Sequence, residues 1–115
     1  MRYALLAYSA PASAGERQAG TIDPGLADVL ARPNVMGWVR LQNVESATSV
    51  RGETGRALLT DGPFVDSKEY LGGLIIVEAE NLDGALSIAS ELLGHMRSGG
   101  GIEVRPILEQ ELGGA

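Results

Sequence analysis

The chain has 115 residues and a mass of 12.0 kDa, enough for one domain over residues 1–115 that folds without a metal or disulfide staple. Nine basic against fifteen acidic residues give a net charge of −6 and a pI near 4.6, the opposite of the basic face that nucleic-acid binding needs. With no Cys and one His, disulfides, thiol nucleophiles, thiolate zinc sites and iron–sulfur clusters are excluded, and too few ligands remain for a His-based metal site within one subunit.

No apolar run approaches the roughly 18 residues of a membrane span. The first eight residues lack the long apolar segment of a signal peptide. A soluble, cytoplasmic domain with no membrane partner is the expectation.

Residues 3–8 form a short apolar run of the length of a buried strand. Residues 11–20, rich in Ala, Gly and Ser, read as a loop with at most one helical turn. Asp23-Pro24 supplies an N-cap and an N1 proline. Leu26, Val29 and Leu30 share a helical face, and Pro33 stops this short first helix. Residues 35–41, with Gly37 and Trp38, lead into a second strand. Residues 48–51 and 56–60 flank Gly52-Glu53-Thr54-Gly55, which predicts a β-hairpin. Asp61-Gly62-Pro63-Phe64 is a turn, and residues 71–79 are the strongest strand candidate.

Asn81 caps a second helix with Asp83 in its first turn. Leu82, Ala85, Leu86, Ala89, Leu92 and Leu93 recur at spacings of three and four, which predicts that this stripe, Leu86 and Ala89 included, faces the sheet. Gly94 is expected to end the helix in the left-handed conformation. Residues 98–101 form a connector, residues 102–108 the last strand, and residues 109–115 a frayed tail.

The order β-α-β-β-β-α-β predicts an α+β fold: a ferredoxin-like βαββαβ antiparallel sheet with its helices on one face, elaborated by an extra β-hairpin. Residues 3–8 and 74–77 do not alternate apolar with polar, as in strands covered on both faces. Two helices, one of them short, cover one face. A second subunit is the simplest cover for the other, so a homodimer is expected.

The segment Asp61-Gly62-Pro63-Phe64-Val65-Asp66-Ser67-Lys68-Glu69-Tyr70-Leu71-Gly72-Gly73 closely resembles the signature of the YCII-related family in its DGPF-motif branch. The resemblance extends upstream through Arg40-Leu41-Gln42 and Ala47-Thr48-Ser49-Val50-Arg51. Downstream it runs through Asn81-Leu82-Asp83-Gly84-Ala85 to Glu103-Val104-Arg105-Pro106, covering about two-thirds of the chain. It implies a dimeric α/β barrel, two ferredoxin-like sheets face to face with pockets near the interface. Some members carry a first-helix histidine proposed to form a His–Asp dyad. This chain has none there, its one histidine being His95. Scattered members resemble muconolactone isomerases or dehydrochlorinases.

Within the motif, Lys68 is the sole lysine, beside Glu69. It suits a substrate carboxylate or phenolate, or base catalysis if desolvated, but a surface ion pair explains it equally. Asp61 is the candidate general base, with turn stabilisation as its structural alternative. Phe64 reads as a core or interface anchor. Glu103 and Arg105 share one face of the last strand. They form either a surface ion pair or, if turned toward a dimer cavity, the polar groups of a pocket in which Arg105 meets an anion. Tyr8 can add a phenolic hydroxyl there, with a core or interface role as the alternative. His95, just past the second helix, has a sufficient use as a cation at a helix C-terminus.

Two readings follow. One is a homodimer that binds a small molecule, a ring compound or anionic metabolite, in a pocket of the DGPF–KE segment. Any reaction would be a cofactor-independent isomerisation or elimination by proton transfer, with a cofactor-free monooxygenase a weaker variant. The other is a non-catalytic module that binds and regulates a metabolite or protein partner.

Overall fold

Asp23 and Asn81 set where the two helices begin. In the computed structural model, which describes residues 1–10, 20, 22–65, 67–96 and 100–112, the Asp23 carboxylate accepts a hydrogen bond from the Leu26 amide (3.1 Å), and Pro24 opens helix α1 (Pro24–Leu30). The Asn81 side chain accepts from the Gly84 amide (3.0 Å) and opens α2 (Leu82–Gly94). Replacing Asn81 with alanine leaves an amide without its cap and is expected to cost about 1 kcal/mol in urea unfolding. A loss under about 0.2 kcal/mol would show that the cap contributes nothing.

The strands are β1 (Arg2–Ser9), β2 (Val35–Arg40), β3 (Thr48–Glu53), β4 (Arg56–Asp61), β5 (Tyr70–Glu78) and β6 (Gly101–Pro106). Four of them form an antiparallel sheet in the order β2-β5-β1-β6. The first and last core strands, β1 and β6, are neighbours, and β5 and then β2 follow on the far side of β1. This is the ferredoxin-like arrangement of a βαββαβ chain, so the expected α+β class and extra hairpin are both present. The two-stranded hairpin β3–β4 stands as a sheet of its own. Its tip, Thr54-Gly55, has positive φ at both residues (44° and 76°), the type I′ geometry whose twist matches the flanking strands.

Register divides the four-stranded sheet into two chemically different faces. Tyr3, Leu5, Ile75 and Val77 point to one side and meet Val29 and Leu30 of α1 and Ala85, Ile88, Ala89 and Leu92 of α2. Ile102 and Val104 of β6 pack against this core. Strand alternation puts Ala4, Leu6, Leu74, Ile76 and Val39 on the other side, with Glu103 and Arg105 opposite Leu6 and Ala4. Among the described residues no helix lies on that side, which is hereafter the open face.

Two expectations for α2 need correction. Its buried stripe is Ala85, Ile88, Ala89 and Leu92, whereas Leu82, Leu86 and Leu93 are each more than two-fifths exposed. Ala89 faces the sheet as expected; Leu86 does not. The apolar set read from the sequence is rotated by about 50°, at roughly 100° per residue, because the three exposed leucines, Leu82, Leu86 and Leu93, outweighed the single Ile88. Gly94 stays inside the helix without a positive φ, and His95 is the C-cap (φ −105°, ψ 2°).

The expected loop over residues 11–20 lies, apart from Gly20, outside the described residues. So do Asp66, Ser98 and Gly99. Residues 107–112 carry no helix or strand. No helix among the described residues is long and apolar enough to cross a membrane.

Candidate functional site

A cleft of about 970 Å³ opens where the open face ends. Its floor comes from the ends of three core strands. Tyr8 lies one residue before the end of β1, Tyr70 and Leu71 begin β5, and Gly101, Ile102 and Glu103 begin β6. Opposite Tyr8, β5 has a bulge: Ala7 pairs with Gly73 but Tyr8 pairs with Leu71, leaving Gly72 as the extra residue. The bulge falls within the Leu71-Gly72-Gly73 element and shifts which side chains of β5 reach the cleft.

One wall is the connection between β2 and β3, from Leu41 to Ala47. The Asn43 side chain accepts from the Val44 amide (3.0 Å) and caps a single 3-10 turn, Val44–Ser46. Leu41, Gln42, Asn43, Val44, Ser46 and Ala47 all line the cleft. The other wall is Pro63, Phe64 and Val65, with Ser67 and Glu69 beyond. These walls are tied together. The Gly62 amide donates to the Ala47 carbonyl (2.8 Å), and the buried Ser49 hydroxyl donates to the Gly62 carbonyl (2.7 Å). Gly62 has φ +100°, a conformation that side-chain-bearing residues rarely adopt, so the turn of the DGPF segment requires glycine here.

Phe64 is held from the hairpin. Arg51 of β3 donates to the Phe64 carbonyl (2.7 Å), and its guanidinium lies 4.0 Å from the ring centroid. The ring remains 57% exposed, so Phe64 is a cleft wall and not a core anchor. Beyond it, the Ser67 amide donates to the Tyr70 hydroxyl and the Glu69 amide to the Ser67 hydroxyl (both 3.3 Å), folding the KE segment back on β5.

Of the residues singled out in the sequence, Tyr8, Glu69 and Glu103 meet in the cleft, while Asp61, Lys68 and Arg105 do not line it. Asp61 is the exposed last residue of β4, opposite Thr48. Its carboxylate accepts no hydrogen bond among the described residues, so Ser49 and the Gly62 amide hold the turn instead. The partial burial that would make Asp61 a base is missing from the single chain. Arg105 reaches Glu103 (2.8 Å) as an exposed pair on the open face. His95 lies at the far end of α2, 3.3 Å from the Asp23 carboxylate, and its ring packs where a side chain at Gly25 would stand.

The wall from Leu41 to Ala47 and the phenol of Tyr70 were not assigned to the site by sequence reasoning. The Asn43 cap was a readable signal for the turn, but only the tertiary pairing of Ala47 with Gly62 brings that turn to the motif. The result is an apolar and aromatic cavity with two carboxylates at its edge. No Lys, Arg or His is among the described lining residues. No three His, Cys, Asp or Glu side chains come together as a metal site requires, among the described residues.

The model of the YCII-related domain matches residues 1–111, nearly the whole chain. The chain belongs to the YCII-related family. An uncharacterised protein of Rhizobium meliloti (strain 1021) is 37% identical over 68 residues, which is 59% of this chain and 55% of the relative. The chain thus spans just over half the length of that relative. Family membership agrees with the α+β sheet and its element order. Neither description names a reaction for this YCII-related protein or its relative.

Proposed function

We propose that this protein, in the DGPF-motif branch of its family, is a homodimer that binds a ring-bearing small molecule in the cleft between the β2–β3 connection and the DGPF–KE segment. The observation that carries this reading is the lining itself. A space of about 970 Å³, at the upper end of typical ligand sites, is walled by Tyr8, Phe64, Tyr70, Leu41 and Val44, with polar groups confined to a few positions. Aromatic and aliphatic walls favour a flat apolar ligand body, and Glu69 provides one carboxylate to meet a donor on it. The anionic ligands that Lys68 and Arg105 would suit have no cation among the described lining residues of one chain. A neutral or phenolic ring therefore fits better.

Any catalysis is a cofactor-independent proton transfer, and Glu69, which lines the cleft but is exposed like Asp61, serves in the single chain as a ligand contact and not as a desolvated base. The second reading, a binding module without turnover, is favoured by Glu103 being already engaged by Arg105. Dimerisation through the open face belongs to both readings, because the cleft opens at the end of that face.

Native mass spectrometry of the purified protein should detect a bound small molecule. Phenol, added to stripped protein, should raise the melting temperature more than benzoate does. Ala47→Trp, which places an indole in the cleft, should abolish both effects while leaving the folded spectrum unchanged. A protein that carries nothing and responds to neither probe would overturn the assignment of the cleft.

A further inference from the structure

The hairpin β3–β4 is the part of the molecule with least reason to stand alone. A two-stranded hairpin is marginally stable in water unless another element covers it. Among the described residues this one pairs only with itself and packs on no other strand or helix to any extent. Its two faces differ. Ser49 and Arg51 lie on one face and tie it to Gly62 and Phe64 of the same chain. Val50, Ala57 and Leu59 lie on the other, with Val50 directly opposite Leu59 in the register. Val50 is 60% exposed and Leu59 72% exposed.

From this we infer that the hairpin is an arm that docks its Val50–Leu59 face on a second copy of the same chain. The inference rests on the dimer proposed above and adds to it a contact that the sheet alone does not make. Area decides in favour of a second copy. Four strands at about 4.8 Å spacing and six residues at about 3.4 Å each give the open face a footprint of roughly 400 Å². A standard interface takes about 800 Å² from each partner. One face of the arm, two strands wide and six residues long, supplies about 200 Å². In a two-fold contact each arm also covers an equal patch on its partner. With the partner patch outside the open face, these planar footprints sum to about 800 Å² per subunit, the scale of a stable dimer.

Docking would also reach the cleft. Arg51, next to Val50, grips the ring and carbonyl of Phe64, so an arm fixed on the partner holds the cleft wall in place. A free arm leaves Arg51, and Phe64 with it, without that support.

Leu59→Asp tests the inference, because it changes a side chain that is exposed in the single chain. Sedimentation equilibrium should show the dimer dissociation constant raised at least a hundredfold, with the circular dichroism of the sheet retained. Arg56→Gln, on the opposite face of the arm, should stay within threefold of the parent. Hydrogen exchange supplies a second readout that needs no substitution. Arm amides should be protected at concentrations where the mass is doubled and lose protection on dilution to monomer. An unchanged dissociation constant in Leu59→Asp, or an arm that exchanges freely within the dimer, overturns the arm contact and leaves the sheet-face dimer standing. A protein that is monomeric throughout, with its arm protected by some other partner, overturns both.

Discussion

Leu92→Ala should cost about 2–5 kcal/mol in urea unfolding, whereas Leu86→Ala, six residues earlier on the same helix, should cost under about 1 kcal/mol. Leu92 is 1% exposed and sits with Ala85, Ile88 and Ala89 against Tyr3, Leu5 and Val77, so its truncation leaves a cavity that close-packed neighbours fill only in part. Leu86 is 43% exposed on the flank of the same helix. Truncating it removes area that water already partly reaches, and no cavity forms. Equal losses for the two variants would mean that the helix is rotated from its described orientation, or that a second subunit covers the Leu82–Leu86–Leu93 flank. Repeating the Leu86→Ala measurement at several protein concentrations separates these, because only intersubunit burial makes the loss concentration-dependent.

The contrast within α2 marks where sequence reasoning ends. Helix ends are written locally: Asp23-Pro24 and Asn81 each carry a side-chain oxygen placed to accept from an amide three residues on, and both do so. Strands β1, β5 and β6 and the hairpin tip are equally local, fixed by apolar runs and by Thr54-Gly55. Face selection is different. On a helix with many leucines the buried stripe is decided by which sheet residues stand beneath it, and short-range spacing leaves neighbouring rotations nearly equivalent.

The site was legible only in part for a related reason. The DGPF–KE segment does border the cleft, through Pro63, Phe64, Val65, Ser67 and Glu69. Within it, the residues with the most conspicuous chemistry, Asp61 and Lys68, do not line it, while the unremarked Tyr70 does. The facing wall from Leu41 to Ala47 reaches the motif through backbone contacts at Gly62 and Ala47, which no local pattern of side chains encodes.

Leu74→Asp is expected to convert the protein from a particle of twice the 12.0 kDa chain mass to a single chain when light scattering follows size-exclusion chromatography at micromolar concentration. Leu74 lies at the centre of the open face, opposite Leu6 on one side and Val39 on the other. If two open faces meet, an aspartate there loses its water and gains no cation within the face. An unpaired buried charge of this kind costs about 3–5 kcal/mol. At about 1.4 kcal/mol per decade, that is a weakening of roughly two to four orders of magnitude in the dissociation constant. In the isolated chain no helix among the described residues covers the position and Leu74 is partly exposed, so the carboxylate keeps access to solvent and the fold survives. Val39→Asp serves as the companion variant, because Val39 is 50% exposed on edge strand β2 and tolerates charge with even less effect on the monomer. Both variants should melt close to the parent once the parent is diluted to its own monomer. Glu103 and Arg105 sharpen the expectation, since they already neutralise each other on this face at 2.8 Å and offer the new carboxylate no free guanidinium. Dimers that persist in both variants would place the interface elsewhere and leave Leu6, Leu74 and Ile76 as a solvent-facing apolar surface.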